Sequence, residues 1–285
     1  MIAATWPDWF WTNFPGGKFP DTVLCFDLET SGYSLELDVI TQFGHVMVEN
    51  GKVVDRLQII VDWTGRDVPP DSWLRDRLAS LQRHLREKGS ACGITYQRMQ
   101  QEGVKPEKAL RFYYDLFMAI KAKGVPCAAH NGYGFDEQVL ESNFAGFGVA
   151  NGFDFGENGL IDTDLLERAN QVPEHPRVKP WRGDTLRSYF GRLRGLRLKG
   201  IKSNLDTHCF GRYSFAERGV RREDMHTADV DAFCVHLLLE SFRAALARNP
   251  RQVIAPGLAM SSARPAQPAP VATIVSRRRR GQRSN

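Results

Sequence analysis

Val23-Leu24-Cys25-Phe26-Asp27-Leu28-Glu29-Thr30-Ser31-Gly32 decides how the chain is read. The apolar opening reads as a buried strand, and the small residues closing it read as a turn. Side chains alternate along a strand, so Asp27 and Glu29 share one face and Leu28 takes the other. Two carboxylates a few ångströms apart at a buried strand end repel each other and lose hydration. A hard divalent cation held by oxygen ligands would balance them. The other reading of this stretch is simply an acidic strand end.

The chain has 285 residues, enough for one large domain or two small ones, with 42% hydrophobic and 25% charged residues, as in soluble globular proteins. Its net charge of +5 is unevenly spread, because residues 251–285 hold seven arginines and no acid. Residues 1–250 carry 31 basic against 33 acidic side chains, so the body is not a bulk basic binder. Five scattered cysteines without a CxxC pair argue against a zinc site or a disulfide scaffold. No apolar run reaches membrane-span length, and the N-terminus lacks a secretory pattern. The expectation is a cytoplasmic, reducing setting without a membrane partner.

Around the opening strand, residues 1–20 form an aromatic-rich arm (Trp6, Trp9, Phe10, Trp11, Phe14) that either packs on the domain or stacks on a partner. Asp38 to Val48 and Lys52 to Val61 read as two strands joined by the turn Glu49-Asn50-Gly51. Residues 62–92 read as a helical insertion, with Leu74, Leu78, Leu81 and Leu85 at helical spacing. Pro106 opens a helix that Gly124 ends. Short strands at Val125 to Ala129 and Leu160 to Thr163 are each followed by helix, the second at Asp164 to Asn170, with a further short helix at Thr185 to Phe190. Residues 192–222 read as a basic loop, either contacting phosphates or merely solvated. A long helix runs from His226 to Leu246, and residues 251–285 read as a disordered basic tail.

Carboxylates thus recur where strand ends and helices converge: Asp27 with Glu29, then Asp136, then Asp231 five residues after His226. As a set these resemble the DEDD superfamily of 3′–5′ exonucleases in its histidine-containing, DnaQ-like branch. Phe26 to Gly32 resembles the first motif, and His130-Asn131 with Phe135-Asp136 the second. His226-Thr227-Ala228-Asp229-Val230-Asp231 resembles the third. The resemblance spans residues 22–245. No tyrosine here has an aspartate four residues later, which sets aside the tyrosine-containing branch, and Asp229 lacks the spacing of Asp231. Asp136 follows His130 by six residues, where proofreading epsilon subunits have five; the longer spacing is similar to three-prime repair exonucleases.

The resemblance implies an α/β, RNase H-like fold over residues 21–250, with a mixed five-stranded sheet, its first three strands antiparallel, flanked by helices. It implies hydrolysis of DNA from a free 3′ end, single-stranded or frayed, releasing nucleoside monophosphates in proofreading, repair or degradation. Two Mg²⁺ ions, for which Mn²⁺ can substitute, would be held by Asp27, Glu29, Asp136 and Asp231, and such a pair stabilises both the attacking and the leaving oxygen. His226 would be general base. Thr30 and Ser31 would lie beside the 3′-terminal nucleotide. A DNA polymerase is a possible partner in trans, since nothing here resembles a polymerase domain. Two alternatives stay open: an exoribonuclease of the same superfamily, and an inactive scaffold that binds nucleic acid or a polymerase.

Deleting residues 251–285 tests the tail: nucleic-acid binding should weaken and its salt dependence flatten, while turnover of short substrates stays intact.

Overall fold

The computed structural model describes residues 19–35, 37–87, 93–172, 175–196 and 204–247. Two units divide the chain, residues 1–252 and 253–285, and every described residue lies in the first. Most of the aromatic arm, the arginine tail, Cys92 and the basic residues Arg197, Lys199 and Lys202 lie outside the described residues. Among the described residues, no helix is long and apolar enough to cross a membrane.

Five strands form one mixed sheet in the order β3-β2-β1-β4-β5, the architecture expected from the sequence. β1 (Val23–Thr30) is central, antiparallel to β2 (Ile40–Glu49), which pairs antiparallel with β3 (Lys52–Ile60). On the other side, β4 (Cys127–Ala129) and β5 (Leu160–Asp162) run parallel to β1. Asn50 and Gly51 both adopt positive φ, 51° and 74°, so the β2–β3 turn uses the two residue types that tolerate it. Helices α1 (Asp71–Glu87), α2 (Tyr96–Glu102) and α3 (Pro106–Ala122) follow β3. α4 (Glu137–Gly146) follows β4, and α5 (Thr163–Gln171) and α6 (Leu186–Arg194) follow β5. α7 (Ala228–Ala247) closes the unit.

The two sheet faces are covered differently. α3 buries Ala109, Leu110, Tyr113, Phe117 and Ile120 in one stripe. Tyr113 stacks on Phe43 with centroids 4.0 Å apart, and Phe117 meets Phe26 edge-on at 5.1 Å. Phe26 and Leu28 therefore belong to the α3 face, and Asp27 and Glu29 must face the other way. That other face receives α7. Gly44 is the cross-strand partner of Asp27, and a Cβ at Gly44 would overlap the Ala228 carbonyl group and the Asp229 amide. A glycine here lets the first turn of α7 touch the sheet backbone beside Asp27.

Residues 192–222 differ from the expected basic loop. Arg192 and Arg194 belong to α6, and Thr207–Arg212, Phe215–Arg218 and Arg222–Asp224 form short helical turns. The reason is internal pairing. Glu167 is fully buried, accepts the Tyr213 hydroxyl, and lies 3.2 Å from Arg212 and 3.6 Å from His208. A buried carboxylate needs such partners, and they tie this segment to α5.

Gly44→Ala should separate α7 from β2 and cost about 1–3 kcal/mol as an overpacked contact. Thermal unfolding should show it as a midpoint lower by roughly 2–4 °C per kcal/mol.

Candidate active site

A pocket opens at the C-terminal end of β1, lined by Asp27, Leu28, Glu29, Thr30, Gly32 and Tyr33 from one segment. Leu81 and Leu85 of α1 form another wall, with His130, Phe135, Leu205, His226 and Asp231 completing it. One half is acidic and the other apolar.

The acidic half is assembled by α7. Glu29, His226 and Asp231 each offer a ligand atom, and these atoms lie within 4.8 Å of one another. His226 sits just before the helix with φ of 64°, a left-handed conformation, and its backbone N–H donates to Asp231 Oδ2 at 3.2 Å. Asp231 Oδ1 is buried and has no hydrogen-bond partner among the described residues. Leaving a carboxylate oxygen buried and unpaired is costly. Asp229 points elsewhere: its Oδ2 is 2.8 Å from Arg56 Nε and 2.6 Å from Arg56 Nη2 on β3. That pairing separates the two acids of the third motif.

Asp27 lines the same pocket beside this trio. Asp136 does not line it; it is buried within reach of Asp27 and Glu29, and its carboxylate accepts the Leu28 amide. All four carboxyls are pushed above the usual range. For Asp27 the causes are burial, then Asp231, Glu29 and Asp136; for Glu29 they are burial, then Asp231 and Asp136. Burial and Asp162 push Asp136 up to about 8, against the pull of the Leu28 N–H. Burial raises Asp231 to about 7, with the His226 N–H acting in the opposite sense. Four acids that cannot all ionise comfortably form a strong cation receptor.

The six-residue step from His130 to Asp136 has a local cause. Asn131 adopts φ of 67°, and Gly132–Asp136 form a wide turn with i→i+5 bonding, which takes up more chain than an α-turn. Asp162 anchors it by accepting the Asn131 and Tyr133 amides at 3.2 and 3.1 Å, while also capping α5. His130 donates from Nδ1 to Thr163 Oγ1 at 3.0 Å, because the Thr163 hydroxyl itself donates to the Ala129 carbonyl. It is a hydrogen bonder at the end of β4, and it also lines the pocket.

Thr30 and Ser31 part company. Thr30 lines the pocket, and its hydroxyl donates to the Gly32 carbonyl at 2.5 Å. Ser31 is 2% exposed and donates to Asp38 Oδ1 at 2.8 Å; it does not line the pocket. Asp38 in turn accepts the Ser34 amide and the Arg77 guanidinium of α1. Ser31 therefore fastens the β1–β2 loop to α1 through Asp38.

Sequence reasoning missed the apolar half. Tyr33, 73% exposed at the rim, carries no motif or spacing that marks it. Leu81 and Leu85 continue the stripe of Leu74 and Leu78, and spacing alone does not separate core leucines from pocket leucines.

No family model and no curated protein matches the chain. Among solved structures it is similar to Escherichia coli exonuclease I in complex with a dA16 oligonucleotide, at 16% identity and a TM-score of 0.49, over 80% of this chain and 42% of that one. A product-bound structure of exonuclease I aligns at 16% identity and a TM-score of 0.47, over 80% and 44%. A zinc-bound form of the E. coli exonuclease I–single-stranded DNA complex aligns at 16% and 0.48, over 81% and 41%. The chain thus spans about two-fifths of the length of the structures it resembles.

Raised carboxyl pKa values mean the folded chain holds protons that the unfolded chain releases near pH 4. Without metal, stability should therefore be highest below pH 4 to 5 as far as these groups decide it, and fall as pH rises through about 7 to 8. Asp27→Asn should raise the unfolding midpoint in EDTA at pH 8, by roughly 2–4 °C per kcal/mol of relieved repulsion. Differential scanning fluorimetry across pH 5–8 measures both.

Proposed function

We propose that the chain is a metal-dependent 3′–5′ exonuclease acting on single-stranded or frayed DNA ends. One observation carries this: Glu29, His226 and Asp231 converge beside Asp27, with a buried Asp231 oxygen left unpaired among the described residues. The donor set fits a hard divalent cation such as Mg²⁺, because its oxygens are carboxylate and its histidine is single. Asp27, Glu29 and Asp231 would hold the ion, with Asp136 in support. When bound, the ion or ion pair supplies charge neutralisation at a phosphodiester and favours water activation near neutral pH.

The remaining roles belong to the chain. His226, in reach of Glu29 and Asp231, takes the proton of the attacking water, which suits an imidazole because it titrates near working pH. Its left-handed backbone, tied to Asp231 through its own amide, fixes where that base stands. Tyr33 and the leucines of α1 give the 3′-terminal base an apolar berth next to the acids. Thr30 sits between the two halves and borders the terminal sugar. Release of nucleoside monophosphates in proofreading, repair or degradation follows from this chemistry, and a polymerase in trans is the partner it would serve as a proofreader.

The test is digestion of matched 5′-labelled DNA and RNA oligonucleotides with Mg²⁺ or EDTA. A ladder shortening from the 3′ end, faster on DNA and abolished by EDTA, is expected. His226→Ala should lower turnover by about 10²–10⁴-fold, the usual size of a general-base contribution, with little change in DNA binding. Intact polymers with retained binding would instead leave a scaffold, and RNA preference would move the enzyme to the exoribonucleases.

A further inference from the structure

Away from the pocket, the segment His175-Pro176-Arg177-Val178-Lys179-Pro180-Trp181-Arg182-Gly183-Asp184 carries three cations and no acid before Asp184. It is firmly built. The Asp184 amide donates to the Trp181 carbonyl at 3.0 Å and Gly183 adopts φ of 88°, so residues 181–184 form a turn with Arg182 near its tip. The Trp181 amide donates to Asp184 Oδ2 at 2.7 Å. Arg192 of α6 grips Asp184 through both Nη atoms, at 2.9 and 2.7 Å, and donates to the Arg177 and Lys179 carbonyls at 3.2 and 3.3 Å. The Tyr189 hydroxyl donates to the Val178 carbonyl at 3.1 Å.

All this support holds one apolar ring in water. The Arg192 guanidinium lies 3.9 Å from the Trp181 centroid and backs one of its faces, yet Trp181 remains 59% exposed. Arg192 is consumed by the scaffold, its side chain only 11% exposed. Arg177 and Arg182 are exposed, and neither side chain has an ion pair among the described residues. A rigid aromatic face backed by a cation, with unengaged arginines on either side, matches a flat π-system joined to anions. An apolar protein partner would want further exposed hydrophobic residues beside Trp181, and this segment has none.

We propose that this loop is a second nucleic-acid contact, where one unpaired base stacks on Trp181 and adjacent phosphates meet Arg177 and Arg182. The proposal rests on the nuclease reading for the source of the strand. α6 links the two places, because Arg194 on the same helix donates to the Tyr133 carbonyl, at 3.0 Å, in the turn that ends at Asp136. The basic character read in residues 192–222 becomes scaffold at Arg192, which supports the exposed Arg177 and Arg182 beside Trp181.

The experiment measures binding of the full chain in EDTA to fluorescein-labelled dT20 and duplex DNA, with dTMP binding as a control. Trp181→Ala should weaken dT20 binding about tenfold, within the usual range for one base–aromatic stack, and leave dTMP unchanged. Trp181→Phe should restore most of the loss. Arg182→Glu should weaken dT20 binding and reduce its salt slope by about one. Equal dT20 affinity of the parent and Trp181→Ala overturns the platform and leaves the nuclease reading standing. So does loss confined to Arg182→Glu, or an equal loss on blunt duplex. Parent chain that binds no oligonucleotide, even at low salt, overturns both.

Discussion

The close approach of α7 to the sheet at Gly44 is the contact on which the rest of the site depends. Asp27 and Glu29 are fixed by β1, but they are only two acids on a strand until a helix end arrives opposite them. Ala228 reaches the β2 backbone because Gly44, cross-strand from Asp27, has no side chain to hold it off. The chain then brings His226 and Asp231 to Glu29. Arg56 on β3 adds a second fastening by holding Asp229 on the far side of the same helical turn. One acid of that turn is neutralised outside, and the other is delivered inside.

That assembly works against the stability of the metal-free fold. Burial raises Asp27, Glu29, Asp136 and Asp231, and repulsion from neighbouring acids adds to it, so the site is a region of unfavourable electrostatics held by packing elsewhere. The packing is supplied on the opposite face, where α3 lays Tyr113 and Phe117 onto Phe43 and Phe26. A sheet that is apolar on one face and anionic at the strand end of the other can tolerate this. The same division explains why the acids sit at the end of β1: further in, neither water nor an ion could reach them.

Elsewhere, the protein turns sequence basicity into internal structure. Arg77 binds Asp38 and so ties α1 to the β1–β2 loop; Arg192 binds Asp184, and Arg212 lies against Glu167. These pairs are partly or fully removed from solvent, where breaking one partner is far costlier than at a surface. Counting arginines along residues 192–222 therefore overstates how much charge that stretch offers a ligand. Arg177 and Arg182, which flank Trp181, face solvent without an ion pair among the described residues, in a segment whose composition alone does not stand out.

By itself the sequence determined the strand order, the longer helices and the shared face of Asp27 and Glu29, because alternation and helical spacing are local properties of the backbone; the seven-residue α2 and the helical turns within 207–224 are too short to carry such a pattern. It also named Asp136, His226 and Asp231 as candidates, through motif spacing rather than geometry. Only the tertiary structure decided which of these line the pocket. Asp136 is buried at the end of the wide turn after Asn131 and takes the Leu28 amide; Ser31 donates to Asp38, a buried acid that needs donors. Leu81, Leu85, Tyr33 and Trp181 were not legible, since a leucine stripe or an exposed aromatic reads the same whether its neighbour is core, solvent or ligand. What surrounds a side chain is fixed by residues distant in sequence, and no local pattern encodes that.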